Sequence, residues 1–314
     1  MPGGERLMRW RYGALGLATV CWGTLAPANK LGLDAFRPVT QLMVELVLAA
    51  IFLWLPVVVR KPSPRVGALR TYAVLAVLDP ALPFLLILLG LTSSTATNGA
   101  LLISLESFVA VGFAVIIGKE RVTRVFVVGA ALAVAGALLV SSPGTSAFRP
   151  GDLLFLAATV PLGLTVVVVR GIAPSTPSIE ITRYQTAFGV ALVLPCVAVE
   201  WILTGGPTAH HAGAGAWGAA IYAGLVGMAL SNLTFNFSLG KVSAATAGLA
   251  LNLVPLIGVV TAVALLGERL TTVEAIGGAL IVVGLALPSL EELAASALPD
   301  PSLTTTSEEI RVGD

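Results

Sequence analysis

Two carboxylates, Asp79 and Glu106, stand inside long apolar stretches of the sequence, where a charged group is costly. Each lies about 12 residues from the end of its stretch, which at about 1.5 Å per helical residue is roughly 18 Å deep in a bilayer. Because the two stretches are consecutive, their helices are antiparallel and the carboxylates can approach one another. We therefore predict a shared proton or cation site between them. In the alternative interpretation one carboxyl is neutral and hydrogen-bonded to backbone carbonyls that Pro80 or Pro83 frees.

Lys30 and Glu45 form a second pair of charges near one face of the membrane. Glu45 lies about 10 Å from that face and is the predicted counter-ion of Lys30. Lys30 is close enough to the end of its stretch for the ammonium group to reach the interface. A purely structural role for Lys30 is therefore the alternative to a role in charge coupling.

Uncharged polar and aromatic side chains in the other apolar stretches are predicted to line a cavity. Asn232 and Asn236 are one helical turn apart, and Thr97 lies on the same helix face as Ser104. The alternative is that such groups only hydrogen-bond neighbouring helices to one another. The predicted lining residues are Trp22, Thr97, Ser104, Tyr184, Gln185, Tyr222, Asn232, Asn236 and Asn252.

Ser104 and Glu106 cannot both point straight into a narrow cavity from one continuous helix. At 3.6 residues per turn, positions two apart are separated by roughly 160° around the axis. We expect either that Glu106 faces Asp79 or that a different face of this helix lines the cavity.

The composition is that of a membrane protein. The 314 residues are 56% hydrophobic and 11% charged, with a mean hydropathy of +0.94, whereas soluble domains carry about 25% charged residues. Apolar runs of about 20 residues match the thickness of a bilayer. No basic patch interleaved with aromatic residues suggests nucleic-acid binding. Cys21 and Cys196 both lie in apolar runs, where free thiols are expected.

Motifs of enzymes and metal sites are absent from the sequence. There is no P-loop, no nucleotide-binding fingerprint and no Ser, Cys or metal constellation of the kind that a hydrolase needs. His210 and His211 lie in a connecting segment without further ligands nearby. We therefore expect a protein that is not an enzyme and that carries no cofactor or metal.

Breaks at proline, glycine and charge clusters divide the chain into ten predicted spans. Fourteen of the 18 Lys and Arg residues then fall on one side, which the positive-inside rule assigns to the cytoplasm together with both termini. The first run lacks a cleavage pattern and is predicted to be a retained span. The spans are 12–33, 38–60, 67–91, 94–118, 122–141, 152–173, 178–204, 214–239, 242–266 and 271–290.

An internal duplication divides these spans into two halves. Residues 118–123 (Gly-Lys-Glu-Arg-Val-Thr) follow the fourth span, and residues 267–271 (Gly-Glu-Arg-Leu-Thr) follow the ninth, with Glu, Arg and Thr 148 positions apart. Because five is an odd number, the halves enter the membrane in opposite directions. Inverted repeats of this kind are typical of secondary transporters, whose substrate site lies near the midplane between the repeats.

The predicted fold is an all-α integral membrane protein of ten transmembrane helices in two inverted five-helix repeats. The glycine pairs Gly129/Gly136 and Gly277/Gly284 are predicted to let spans five and ten pack closely, within the fold or in a dimer. A monomer and a homodimer both remain open. The predicted segments are a cytoplasmic N-terminus (1–11), the first repeat (12–141), a linker (142–151), the second repeat (152–290) and a disordered cytoplasmic tail (291–314).

Several motifs resemble those of the drug/metabolite transporter superfamily, EamA type. They are residues 20–24 (Val-Cys-Trp-Gly-Thr) with 30–33 (Lys-Leu-Gly-Leu), the Gly-Glu-Arg and Thr after spans four and nine, and residues 224–240. The resemblance covers about 12–290 and implies ten spans in two inverted halves. It also implies export of amino acids, nucleobases, drugs or other small metabolites, or exchange of organic phosphates or nucleotide sugars. The acidic Glu45, where such proteins often carry an Arg, departs from the pattern, and Asp79 and Glu106 belong to no general pattern of the family.

From these observations we predict a transporter of the bacterial inner membrane that exports small polar metabolites, with amino acids as the first candidates. Its partners would be the small-molecule substrate and the lipid bilayer. It would work by alternating access through a central cavity, either coupled to protons through Asp79 and Glu106 or by uncoupled facilitated diffusion. An efflux pump for amphiphilic drugs predicts a mostly apolar cavity, and a non-transporting scaffold predicts no water-filled space. An intramembrane enzyme or lipid flippase would need a lateral opening between helices.

Overall fold

The computed structural model describes residues 2–55, 69–118, 123–141, 149–172, 175–206, 213–239, 242 and 250–297. All regular secondary structure in these ranges is helical. The histidine pair, most of the predicted linker and residues 298–314 of the predicted tail lie outside the described residues.

Fourteen α-helices and two π-helical segments follow one another along the described chain. Several begin at a proline, whose fixed φ suits the first helical turn. The bounds are α1 Pro2–Gly23, α2 Leu25–Gly32, α3 Pro38–Trp54, α4 Leu69–Ala76, a π segment Val77–Ala81, α5 Leu82–Ser93, α6 Ala96–Ile103, α7 Glu106–Gly118, α8 Arg124–Val140, α9 Pro150–Ile172, α10 Ser178–Thr204, α11 Ala214–Tyr222, a second π segment Ala223–Leu230, α12 Ser231–Leu239, α13 Leu253–Leu266 and α14 Thr272–Ala297.

Six helical stretches of the described residues are long and apolar enough to cross a bilayer, and three shorter ones are strongly apolar. The six are Leu69–Ser93, Ala96–Ile117, Pro150–Ile172, Ser178–Thr204, Ala214–Ser238 and Thr272–Glu291, and the shorter ones are Pro38–Trp54, Arg124–Val140 and Leu253–Leu266. These nine stretches correspond to the predicted spans two to ten. The predicted first span is present as α1 and α2, which meet at a turn at Thr24. The protein is therefore a helical multi-pass membrane protein.

Two helix ends differ from the expected boundaries. Helix α1 begins at Pro2 and so extends ahead of the predicted first span, which starts at residue 12, because Pro at its first turn starts a helix and no proline follows before Pro27. Helix α14 continues to Ala297, seven residues beyond the predicted end at 290, because the Leu, Glu and Ala residues after Pro288 favour helix.

Besides the first span, four of the predicted spans are interrupted near their middle. The third and eighth each contain a π segment, and within the first of these Asp79 has extended backbone angles (φ −166°, ψ 118°). The fourth breaks at Ser104 and Leu105, between α6 and α7. The ninth has a turn at Asn252, which precedes α13. Ser104 and Asn252 are 148 residues apart, so both repeats break at the same position.

Helices α8 and α14 pack with their backbones in contact. A Cβ atom on Gly129 would overlap the carbonyl oxygen of Gly284, and one on Gly136 would overlap that of Gly277. The lower-numbered glycine of one helix meets the higher-numbered glycine of the other, so the helices are antiparallel. The glycines thus serve packing within one chain, as one of the two predicted alternatives had it.

Three residues of the duplicated motif, Thr123, Glu268 and Thr271, stabilise helix N-termini. Thr123 and Thr271 accept hydrogen bonds from the backbone N–H groups of Phe126 and Glu274, which caps α8 and α14. Gly267 ends α13 in the left-handed region (φ 64°), and the chain then turns so that the Glu268 carboxylate accepts from the N–H groups of Ala96 and Thr97 at the start of α6. The duplicate residue Glu120 lies outside the described residues.

Candidate functional site

A cavity of about 160 Å³ lies between the interrupted spans. This volume is room for on the order of ten water molecules, or for a small metabolite. Its polar lining residues are Trp22, Asn29, Asp79, Ser104, Glu106, Ser107, Thr165, Gln185, Asn232, Asn236 and Asn252, and its apolar walls include Leu25, Phe84, Ile87, Ile103, Leu162, Val166 and Phe235. Helix breaks at membrane depth are tolerated where they line such a cavity, because the freed backbone groups then find partners there.

Both intramembrane carboxylates line this cavity. Asp79, on the π segment, accepts a hydrogen bond from Gln185 Nε2 on α10 at 3.1 Å, and the same amide also donates to the Asp79 carbonyl oxygen. Glu106 is the first residue of α7, where the chain leaves the break in the fourth span. Its carboxyl group has no hydrogen bond to any other described residue. A carboxyl in this position is available to a proton, a cation or a substrate.

The break between α6 and α7 resolves the geometric conflict between Ser104 and Glu106. On a straight helix only one of them would face a narrow cavity, but both line it here. Ser104 donates to the carbonyl oxygen of Leu101 and closes the last turn of α6. The chain then restarts as α7 with Glu106 directed into the same space. The shared proton or cation between Asp79 and Glu106 stays a prediction.

Three asparagines present oxygen atoms to the cavity. Asn232 donates through Nδ2 to the carbonyl oxygen of Met228 at 2.9 Å, and Asn252 donates to that of Leu285 at 3.0 Å. Asn236 donates to Thr182 Oγ1 at 2.9 Å. No described residue donates a hydrogen bond to any of the three amide oxygens, so each remains available as an acceptor. Together with the two carboxylates, these oxygens make the polar part of the wall rich in acceptors.

Hydrogen-bond donors to a ligand are fewer. The indole N–H of Trp22 and the hydroxyl of Ser107 line the cavity, and no other described residue accepts a hydrogen bond from either group. Trp22 packs edge-on against Phe235, with ring centroids 4.8 Å apart, so its position is well defined. Among the described lining residues there is no Lys or Arg. The site therefore suits a cationic group better than a multiply charged anion.

Three of the predicted lining residues lie elsewhere in the fold. Thr97 is buried at the start of α6, and its backbone N–H donates a hydrogen bond to the Glu268 carboxylate. Tyr184 stacks on Tyr72, with ring centroids 5.2 Å apart. Tyr222 shares a hydrogen bond of 2.6 Å with Thr24, at the turn between α1 and α2. None of the three is among the described residues that line the cavity, since each side chain points towards a neighbouring helix.

Lys30 and Glu45, predicted to pair with each other, have different partners. Lys30 Nζ donates to the carbonyl oxygens of Leu91 and Ser94 at the end of α5. Glu45 accepts from Gln41 Nε2, one turn earlier on α3, at 2.8 Å. The expected counter-ion contact is therefore wrong in this conformation. The ammonium group reaches backbone carbonyls at the end of the neighbouring helix instead.

Sequence reasoning missed Asn29, Ser107 and Thr165 as lining residues. Asn29 precedes Lys30, and Ser107 follows Glu106, so each was overlooked beside a charged neighbour. Their side chains enter the cavity because of turns at Thr24 and Leu105 that hydrophobic periodicity does not reveal. Thr165 donates to the Pro161 carbonyl oxygen within α9, a common role for Thr in a membrane helix.

A second polar network that the sequence did not predict joins the ends of four helices. Asp152 on α9 accepts from Ser94 Oγ and from Asn98 Nδ2, and all three side chains are buried. Arg149 forms an ion pair with Glu274 on α14 at 3.3 Å. Glu274 also completes the cap of α14 with Thr271. This network ties the ends of α5, α6, α9 and α14 together at one end of the bundle.

Comparison with known proteins finds relatives similar in sequence and solved structures similar in fold. A probable terminal-alkyne amino-acid exporter of Streptantibioticus cattleyicolor is 27% identical over 278 residues, covering 87% of this chain and 91% of the relative. The uncharacterized transporter YyaM of Bacillus subtilis is 26% identical over 206 residues, 63% of this chain and 66% of the relative. A protein crystal structure covering 89% of this chain matches with a TM-score of 0.64 at 20% identity and over 96% of its own length, which shows the fold alone.

The sequence profile of the EamA-like transporter family matches this chain twice, over residues 10–142 and 149–290. Together the two matches include every described residue that lines the cavity. The chain belongs to the EamA-like transporter family.

Proposed function

We propose that this protein is a secondary transporter that exports small metabolites carrying a primary amine, with amino acids as the first candidates. The observation that carries the proposal is the acceptor-rich cavity. Asp79, Glu106 and the amide oxygens of Asn232, Asn236 and Asn252 offer partners to an ammonium group. An organic phosphate or nucleotide sugar would find no described cation in this wall.

A zwitterionic amino acid fits the remaining chemistry of the cavity. The Trp22 indole N–H and the Ser107 hydroxyl are available to its carboxylate, and Phe84, Ile87 and Phe235 offer an apolar wall to its side chain. The relative named as an exporter of a terminal-alkyne amino acid supports this assignment, because such a substrate joins the same zwitterion to an apolar chain.

The proposed transport cycle is alternating access by two inverted five-helix repeats. In this arrangement ten spans cross the inner membrane of a bacterium, and both termini are cytoplasmic. The antiparallel glycine contacts between α8 and α14 support it, because residues 148 positions apart exchange roles across the contact. A two-fold axis in the membrane plane produces that reciprocity. The equivalent helix breaks at Ser104 and Asn252 place flexible points on opposite sides of the cavity.

The position of Asp79 and Glu106 in the cavity wall supports coupling to protons through these two carboxylates. A proton and a substrate ammonium group are alternative partners of one carboxylate, so binding of one displaces the other. An antiporter requires this competition, because the substrate and the proton must not be carried across the membrane together in the same direction. Uncoupled diffusion of the substrate down its gradient is the alternative.

A second candidate function is efflux of amphiphilic cationic drugs. It is favoured by the extent of the apolar wall, in which Leu162, Val166 and Val169 of α9 join the phenylalanines. The two candidates differ in what they demand of Trp22 and Ser107. A carboxylate-bearing substrate uses these donors, whereas a simple lipophilic amine does not.

Reconstituted proteoliposomes test the proposal. Vesicles loaded with a labelled amino-acid mixture are assayed for efflux with and without a pH gradient, beside Glu106→Gln and protein-free vesicles. Efflux that rises with the gradient in the wild type and loses this dependence in the variant supports proton-coupled export. Efflux that exceeds that of protein-free vesicles and is the same with and without the gradient, in the wild type and in the variant, supports a facilitator. No efflux of any amino acid, together with efflux of lipophilic amines, transfers the assignment to drug export.

A further inference from the structure

A buried cluster that begins at the cavity wall contains polar atoms with no hydrogen-bond partner among the described residues. Asn29, Gln41 and Glu45 are each at most 1% exposed. Asn29 Oδ1 and Nδ2, Gln41 Oε1 and Glu45 Oε2 have no hydrogen-bond partner among the described residues. Burying a polar atom without a partner costs about 1–3 kcal/mol, and a bare carboxylate costs more. Three connected residues with unpaired buried polar atoms indicate that a ligand binds here.

The existing hydrogen bonds connect these three residues, through the side chains of Gln41 and Glu45 and through the backbone of Asn29. Gln41 Nε2 donates both to Glu45 Oε1 at 2.8 Å and to the carbonyl oxygen of Asn29 at 3.1 Å. The amide of Gln41 therefore bridges α2 and α3, and its own oxygen is left beside both partners. Glycines on both sides keep the cluster tight. A Cβ on Gly32 would overlap the Gln41 side chain, and one on Gly224 would overlap the backbone of Glu45.

No described cation compensates Glu45. The nearest basic residue in sequence on α2 is Lys30, and its ammonium group is held by the carbonyl oxygens of Leu91 and Ser94. The Glu45 carboxylate thus carries one uncompensated negative charge, and the Gln41 and Asn29 residues connected to it have buried amide oxygens without partners. Oxygen ligands of this kind are those that hard cations take, and one negative charge matches a monovalent ion.

We propose that Asn29, Gln41 and Glu45 form a binding site for a sodium ion. A proton on Glu45 would supply one donor and would leave one of the two amide oxygens unpaired. A sodium ion contacts all three oxygens and neutralises the carboxylate. Asn29 also lines the central cavity, so the ion has an entry path from there. Broken transmembrane helices beside a substrate site are where transporters coordinate sodium, and α2 follows the turn at Thr24.

Sodium binding at this site would be coupled to substrate binding in the cavity. This consequence rests on the proposed function. A bound ion holds Asn29 against Gln41 and Glu45 and thereby sets one wall of the cavity. By thermodynamic linkage, a substrate that prefers this wall binds more tightly in sodium, and the ion binds more tightly with substrate.

The test uses the purified full-length protein in detergent, without substrate. The melting temperature (Tm) is measured in increasing NaCl against choline chloride at the same ionic strength, and binding of ²²Na⁺ is measured directly. We expect a saturable rise in Tm specific to sodium and saturable ²²Na⁺ binding. Glu45→Gln should abolish both effects. Glu106→Gln, the same substitution at the cavity, should retain both.

A second variant keeps the inference testable should Glu45→Gln not fold. Asn29→Ala retains the carboxylate and removes one oxygen, and we expect its sodium affinity to fall by about tenfold or more. Equal melting temperatures in the two salts, or ²²Na⁺ binding that survives Glu45→Gln, would overturn the proposal. A stabilisation that follows pH and ignores sodium would also overturn it and would assign a proton to Glu45. Absence of amino-acid transport leaves the sodium measurement unaffected, so the two proposals fail independently.

Discussion

Gly129 of α8 and Gly284 of α14 lie so close that a single methyl group on Gly129 would collide with the carbonyl oxygen of Gly284. Gly136 and Gly277 meet in the same way, so two helices from opposite halves of the chain are joined through their backbones. Close approach of this kind gains van der Waals contact that larger residues would prevent.

Gly129→Ala is therefore expected to destabilise the protein. The added methyl group forces α8 and α14 apart, at about 1–3 kcal/mol for overpacking. The measurement is the Tm of the purified variant in detergent. Gly112→Ala on α7 is the matched control, because nothing lies within 4 Å of a Cβ at Gly112. Equal melting temperatures for the two variants would contradict a tight α8–α14 contact.

Glu106→Gln and Asp79→Asn are expected to weaken the binding of amine substrates. Each removes a charge-assisted contact of about 1.5–3 kcal/mol, which corresponds to roughly a 10- to 150-fold rise in KM for efflux. The comparison substrate is the hydroxy acid of the same side chain, which lacks the ammonium group. The KM of the hydroxy acid should change little. An equal rise in KM for both substrates would indicate damage to the cavity instead of the loss of one contact.

Trp22→Phe separates the two candidate functions. The substitution keeps an aromatic ring near Phe235 but removes the indole N–H, so an amino acid loses one donor to its carboxylate. We expect about a tenfold rise in KM for amino acids, as one hydrogen bond to a charged group implies, and little change for the corresponding amines. Trp217→Phe is the control, because Trp217 packs on Phe36 and is not among the described cavity residues. An unchanged KM for amino acids would favour the drug-efflux assignment.

Glu268→Ala is expected to loosen the start of α6. The Glu268 carboxylate accepts two backbone hydrogen bonds, from Ala96 and Thr97, and such caps contribute about 0.5–2 kcal/mol. The Tm of the variant should fall accordingly. Glu291→Ala, which loses only an exposed contact with Thr123, should change the Tm far less. A fall of equal size in both variants would mean that general surface charge, and not the cap, is responsible.

The duplicated Glu, Arg and Thr residues illustrate what a pattern in the chain can and cannot reveal. Their recurrence 148 residues apart predicted two related halves, and membership of the EamA-like transporter family is confirmed. The caps themselves could not be predicted in full. Thr271 caps the helix that follows it, which is a local signal, whereas Glu268 caps α6, which lies 172 positions earlier in sequence.

The sequence by itself determined the membrane class, the helical stretches, their approximate bounds and two carboxylates at membrane depth, because hydropathy and charge act locally along the chain. The tertiary structure alone decided which polar groups meet. Tyr184 and Tyr222 turned to neighbouring helices, Asn29 entered the cavity wall, and Lys30 reached the end of α5 instead of Glu45. These outcomes depend on the turns at Thr24 and Ser104 and on the π segments, which rotate one half of a helix relative to the other. Such rotations arise from contacts between distant helices, and a repeat of 3.6 residues read along one stretch carries no information about them.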